Sequence, residues 1–197
     1  MRIKLYTEPI RNVPMKAALT ILALCIVLAM GMKGVVAQGQ DPYTDQEIAR
    51  LLKIIRNEKL RIEDPEKVGA AIVTLGELRA TVAVDDLIKL ITFRRTFPQD
   101  NEPNNEFRTI TRSGRYPAVG SLFEIGKPSL VPLVTLISDY DPESLESENA
   151  LTAVILIFRD EPEAGVQYLK DAAEKASYPL QRQRLLSAAE RAKGPPL

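Results

Sequence analysis

The sequence predicts an all-α fold: a short right-handed α-solenoid of about three helix-pair repeats with a capping helix at each end. Three observations predict it. Apolar stripes recur at three- and four-residue spacing, the pattern of amphipathic helices, and no stretch alternates as a strand would. The stripes repeat at fixed offsets along the chain. Three near-identical helix openings, Asp64-Pro65-Glu66, Asp141-Pro142-Glu143 and Glu161-Pro162-Glu163, punctuate it. Aspartate at such a start accepts a free backbone N–H, proline suits the first turn, and glutamate complements the positive helix end.

The clearest unit is YPAVGSLFEIGKPSLVPLVTLI, residues 116–137. Ala118, Val119, Leu122 and Ile125 form one helical stripe. Gly126-Lys127-Pro128 breaks it. Leu130, Val131, Leu133, Val134, Leu136 and Ile137 form a second stripe, apolar enough that both its sides are expected to pack. Ala71, Ile72, Leu75 and Leu78 match the first stripe at an offset of 47, and Leu87, Ile88, Leu90 and Ile91 match the second at 46. Downstream, Ala153, Val154 and Ile157 match at 35, and so do Val166, Leu169 and Ala172. A polar insertion, roughly Asn101 to Arg112, accounts for the difference between these spacings. A period in the middle thirties with two helices per unit is the mark of an α-solenoid.

Leu75-Gly76-Glu77-Leu78 and LFEIG at Leu122–Gly126, each followed by a helix like VPLVTLI, resemble HEAT-like repeats of the short type described in phycobilisome lyases. The resemblance spans roughly Pro65 to Ala176. It departs at Phe158-Arg159-Asp160, where the family favours an apolar residue and glycine. It implies a binding surface more often than a fixed active site.

Residues 1–37 read as a signal peptide. Arg2, Lys4, Arg11 and Lys16 precede an apolar run of sixteen, Ala17–Met32, short of the roughly twenty that span a bilayer. Val35-Val36-Ala37 fits a peptidase, giving cleavage between Ala37 and Gln38. Met15 is an alternative start. The rival expectation is an uncleaved anchor, which Lys33 favours. Cys25, the only cysteine, lies in the run behind Leu24, where a lipoprotein box needs a small residue. Residues 38–197 form one solenoid domain, expected to be exported, periplasmic or secreted. The leader holds five of the 26 Lys and Arg and one of the 26 Asp and Glu, so the remainder carries a net charge of −4. Nucleic-acid binding needs a basic surface, and this charge argues against it.

Thr44-Asp45-Gln46-Glu47 has the form of a capping box before a helix with Ile48, Leu51, Leu52, Ile54 and Ile55 on its apolar side. Thr81–Phe93 reads as the second helix of the first unit. Residues 98–114, with two prolines and three asparagines, form an irregular insertion. Arg94, Arg95, Arg108, Arg112 and Arg115 gather around it. They read either as an edge that binds an acidic partner, or as a solvated loop pairing locally and with the acidic third repeat. Residues 139–163 hold eight carboxylates against Arg159 alone, without the spacing of a calcium loop. Leu180, Leu185, Leu186 and Ala189 line the last helix. Arg182, Arg184 and Arg191 are expected on its outer face, and Gly194 ends it.

The chain has no histidine, and no cysteine past the leader. Zinc sites and Ser-His or Cys-His nucleophiles are therefore excluded. No phosphate-cradling loop is present, and no cofactor is called for. The expected function is a non-catalytic scaffold binding another protein. Its face would be lined by second helices, with Asp86, Lys89, Thr135, Asp139, Gln167 and Lys170, beside the arginine edge. Two alternatives stand: a lyase-like enzyme or subunit holding a small ligand, and an envelope protein anchored by its leader. Intact mass of the exported chain is expected to give a first residue of Gln38; a chain retaining Ala17–Met32 would establish the anchor instead.

Overall fold

The computed structural model describes residues 42–95 and 112–194. The segment expected to be a leader, with Ala37, Gln38 and Cys25, most of the expected insertion, and Arg108 lie outside these residues. Among the described residues there are ten α-helices and no strand. They are α1 (Pro42–Arg56), α2 (Glu58–Glu63), α3 (Pro65–Glu77), α4 (Val84–Lys89), α5 (Arg112–Arg115), α6 (Pro117–Ile125), α7 (Leu130–Asp139), α8 (Leu145–Ile157), α9 (Pro162–Lys175) and α10 (Pro179–Ala192). Short 3₁₀ turns at Thr81–Ala83 and Lys127–Ser129 lead into α4 and α7. The stretch read as one helix from Thr81 to Phe93 is thus a 3₁₀ turn, a six-residue α-helix and a tail of turns.

The helix openings differ where a single style is expected. Asp64 caps α3, its Oδ1 accepting from the Lys67 N–H at 3.1 Å. Asp141 instead closes a local turn onto the Glu143 N–H (2.9 Å), and α8 starts later, capped by the Ser144 hydroxyl accepting from the Ser147 N–H. Glu161 precedes α9 without a side-chain cap bond; glutamate's extra methylene makes it a poor N-cap. The Thr44 capping box does not form either. The helix begins at Pro42, and the Glu47 carboxylate turns to Arg50, whose Nε and Nη2 donate to it at 2.7 and 2.6 Å and hold its pKa below the usual carboxylate value.

The recurring stripes are the core. Ala71, Ala118 and Ala153 are buried, as are Ile72, Val119 and Val154, and so are Leu75 and Leu122. Each large aliphatic among them contributes about 1.5–3 kcal/mol. Helices α1, α3, α6 and α8 pack in succession, and α4, α7 and α10 pack in succession beside them. The two positive-φ residues among those described, Arg79 (φ 49°) and Gly126 (φ 79°), stand at equivalent places after α3 and α6. Arg79 completes a Schellman turn: its N–H donates to the Gly76 carbonyl and the Ala80 N–H to the Leu75 carbonyl. The third turn has no such residue and is one longer. Burial pairs Leu133 with Leu169 and Ile137 with Ala173, so the second-helix offset is 36 rather than 35.

Two further expectations are corrected. Helix α7 is not packed all round: Leu130, Leu133 and Ile137 are buried, but Val131 is 69% exposed. Nor is the arginine face of α10 left free: Arg182 and Arg191 are exposed as expected, but Arg184 is half-buried, and both Arg184 and Arg191 bond to backbone carbonyls elsewhere in the chain. Arg184 Nη1 donates to the Ser138 and Asp139 carbonyls at the end of α7 (3.0 and 2.6 Å), and Arg191 Nη1 to the Pro142 carbonyl (2.7 Å). These last-turn carbonyls have no partner within their own helix, so a guanidinium reaching from α10 satisfies them. Of the apolar residues along α10, Leu185 and Ala189 are buried while Leu180 and Leu186 are exposed.

The closest approach in the core joins α3 to α6. A Cβ on Gly76 would lie 2.6 Å from the Ser121 Cα. The Ser121 hydroxyl lies 2.8 Å from the Ile72 carbonyl and 3.0 Å from that of Pro117, to which its proton is donated. A Cβ on Gly69 in the same helix would meet only the Arg95 side chain at 3.6 Å. Gly76→Ala is therefore expected to cost about 1–3 kcal/mol by overpacking, whereas Gly69→Ala should be neutral or stabilising by up to about 1 kcal/mol through helix propensity. Thermal melts of the two variants check the contrast in sign.

Candidate functional site

The arginine edge is built on the two feet of the insertion. The Arg95 N–H donates to the Arg115 carbonyl at 2.9 Å, which brings the feet together. The Arg95 guanidinium donates through Nε and Nη2 to Glu66 Oε2 (3.0 and 2.9 Å), tying one foot to the first turn of α3. On the other foot Arg112 Nη2 donates to Glu148 Oε2 of α8 at 2.6 Å. Glu148 Oε1 also lies 3.7 Å from Arg191 Nη2 of α10. One carboxylate thus holds the insertion, α8 and α10 together.

Of the five arginines, Arg95 and Arg112 are committed to this latch. Arg94 is exposed. Arg115 is half-buried, and its Nε has no hydrogen-bond partner among the described residues. Glu148 was not legible as a hub, because it sits in a run of carboxylates that read as a solvated helix start. Its neighbour Asn149 is fully buried; its amide donates to the Ile91 carbonyl at 2.8 Å and joins α8 to the chain just past α4.

The expected face on the second helices divides in two. Between α1, α2 and α4 is a depression of about 570 Å³ lined by Ile55, Arg56, Val82, Asp86, Lys89 and Leu90. Arg56 Nε and Nη2 donate to Asp86 Oδ2 across it (3.1 and 2.8 Å), while Lys89 is exposed. The other part is a groove of about 440 Å³ between α7 and α9, floored by α10, with Val131, Val134, Thr135, Tyr168, Ala172 and Leu185 in its walls. Burial pushes the Tyr168 phenol above its usual pKa. Thr135 Oγ1 donates back to the Val131 carbonyl (3.0 Å). Asp139 Oδ1 accepts from Gln181 Nε2 (2.9 Å), and Gln167 Nε2 donates to Asp171 Oδ1 (2.6 Å). Lys170 is half-buried on α9. Helix α10, rather than α9, packs along α7, so Gln167 and Lys170 do not continue the row begun by Lys89 and Thr135.

The exposed apolar residues Val82 (65%) and Val131 (69%) were missed in the sequence, because each sits in an apolar run that reads as core. Among the described residues no cluster of three or more metal-ligating side chains occurs, and no single helix is long and apolar enough to cross a membrane. Comparison with known protein families, with curated proteins and with solved structures finds no match.

The latch has a measurable worth. Glu148→Gln keeps the size but removes the charge that two guanidiniums share. A partly exposed pair contributes about 0.2–1 kcal/mol, so the variant should melt a few degrees lower than the parent. The gap should shrink in about 1 M salt, where screening extends only to about 3 Å. Paired melts at low and high salt check it.

Proposed function

We propose that this chain is an exported, non-catalytic scaffold that binds another protein along the second-helix side of a short HEAT-like α-solenoid. The observation that carries the reading is the placement of Val82 and Val131. Both are apolar, strongly exposed, and set on the rims of concave surfaces beside polar Lys89 and Thr135. Apolar anchors ringed by polar groups are the composition of interface centres. The repetition of buried positions between α3, α6 and α8, and of the positive-φ turns at Arg79 and Gly126, supports the solenoid part of the reading. Each repeat unit then contacts only its neighbours and leaves an extended side open. The leader supports export.

The arginine edge takes a narrower part than its composition suggests. Arg95 and Arg112 hold the insertion's feet, so fewer of its guanidiniums are available to an acidic partner than the count of arginines implies.

Crosslinking recovery from the envelope fraction tests the reading. Val131→Asp places a charge in the groove without touching the buried stripe. It should lower recovery of the partner about tenfold or more, with the melting temperature unchanged. Arg94→Glu should lower it less and in a salt-dependent way. Equal recovery by the parent and both variants would move the site elsewhere on the molecule.

A further inference from the structure

We propose that an apolar cavity at the C-terminal end of the domain, remote from α4, is a binding site for an uncharged, largely hydrocarbon small molecule. The cavity has a volume of about 350 Å³ and lies where the second half of α8, the start of α9 and the end of α10 meet. Val154, Ile155, Leu156, Phe158, Pro162 and Ala192 form its walls. Gly165 packs closely on one wall: a Cβ there would come 2.9 Å from the Phe158 Cβ, and the Phe158 ring lies 5.7 Å from that of Tyr168 between centroids.

The class of ligand follows from what the walls offer. The only hydroxyl in the lining, that of Thr152, already donates to the Glu148 carbonyl at 2.8 Å. At the rim the Arg159 guanidinium lies 5.1 Å from the centre of the Phe123 ring, with its Nε 3.6 Å from Asp160. Exposed Asp160, Glu161 and Glu163 follow it in the chain, so the charge around Arg159 and Pro162 is negative on balance and disfavours an anionic ligand. Beyond the Arg159 guanidinium at its rim the described lining offers few polar groups, which favours an apolar guest. The volume falls in the range of ligand pockets. The scaffold reading does not enter this argument.

The test is fluorescence titration of the exported chain with the neutral probe N-phenyl-1-naphthylamine, beside its anionic relative 1-anilinonaphthalene-8-sulfonate. The parent should bind the neutral probe saturably at one site, about tenfold or more tighter than the sulfonate. Ala192→Phe from α10 and Ile155→Phe from α8 fill the cavity from different walls. Each folded variant should bind the probe about tenfold or more weakly, with its helical circular dichroism retained. Should one of them fail to fold, the other decides. Val131→Asp, which alters the exposed groove and not the cavity, should bind the probe as the parent does. The proposal is overturned by any of four results: no saturable binding to the parent, equal binding of the sulfonate, unchanged affinity in the filled variants, or binding only after the residues beyond Gly194 are removed. The last would show that the chain fills its own cavity.

Discussion

The structure depends on how closely α3 and α6 cross. Gly76 has no side chain, and Ser121 carries only a hydroxymethyl, so the backbones meet at a separation that a single Cβ would prevent. Burying the Ser121 hydroxyl is tolerable because a carbonyl acceptor lies within hydrogen-bond distance on each helix; unpaired, the same group would cost about 1–3 kcal/mol. This approach lets the short side chains of Ala71 and Ala118 lie at full burial, with Ile72, Leu75, Val119 and Leu122 around them. Close-packed interiors do not deform continuously. The spacing set at this crossing is therefore passed on to α8, which packs on α6 in turn.

Polar contacts then fix what apolar contact leaves free. Apolar packing does not set how far one helix slides along another. Asn149 sets it for α8 by reaching the Ile91 carbonyl, and Arg184 sets it for α10 by capping the end of α7. Glu148 adds the insertion's foot through Arg112. Arginine suits both tasks, since one planar guanidinium can satisfy several fixed acceptors. The acidic stretch around residues 139–163 therefore divides into parts. Glu148 is structural, Asp139 receives Gln181, and Asp160, Glu161 and Glu163 remain in solvent.

The proposed scaffold face and the proposed ligand cavity draw on different parts of the fold. The first uses Val82 and Val131, presented outward by the second helices. The second lies where the regular spacing fails. The third turn lacks the left-handed residue found at Arg79 and Gly126, α9 is displaced from α7, and α10 takes the place beside α7. The irregular end opens the space bounded by Phe158, Pro162 and Ala192.

By itself the sequence determined that the chain is helical, where α3, α6 and α8 lie, and which of their residues are buried. Helical periodicity is local, and Ile72, Val119 and Val154 obey it at the expected offsets. It also determined that no histidine or thiol chemistry is open to residues 38–197. It misread Thr44, Asp141 and Glu161 as caps, because capping depends on a backbone angle and a start position that neighbouring packing can shift by several residues. Only the tertiary structure decided that Val131 faces water: Thr135 and Asp139, at i+4 and i+8, lie on the same exposed side of α7, but the apolar residues around them masked that signal. That the arginines near the insertion pair with the acidic third repeat was one of the readings open in the sequence, but only the tertiary structure picked Glu148 for Arg112, Glu66 for Arg95 and backbone carbonyls for Arg184 and Arg191, partners 29 to 49 residues away. Such partners are set by the packing of helices, and no local pattern of charge encodes them.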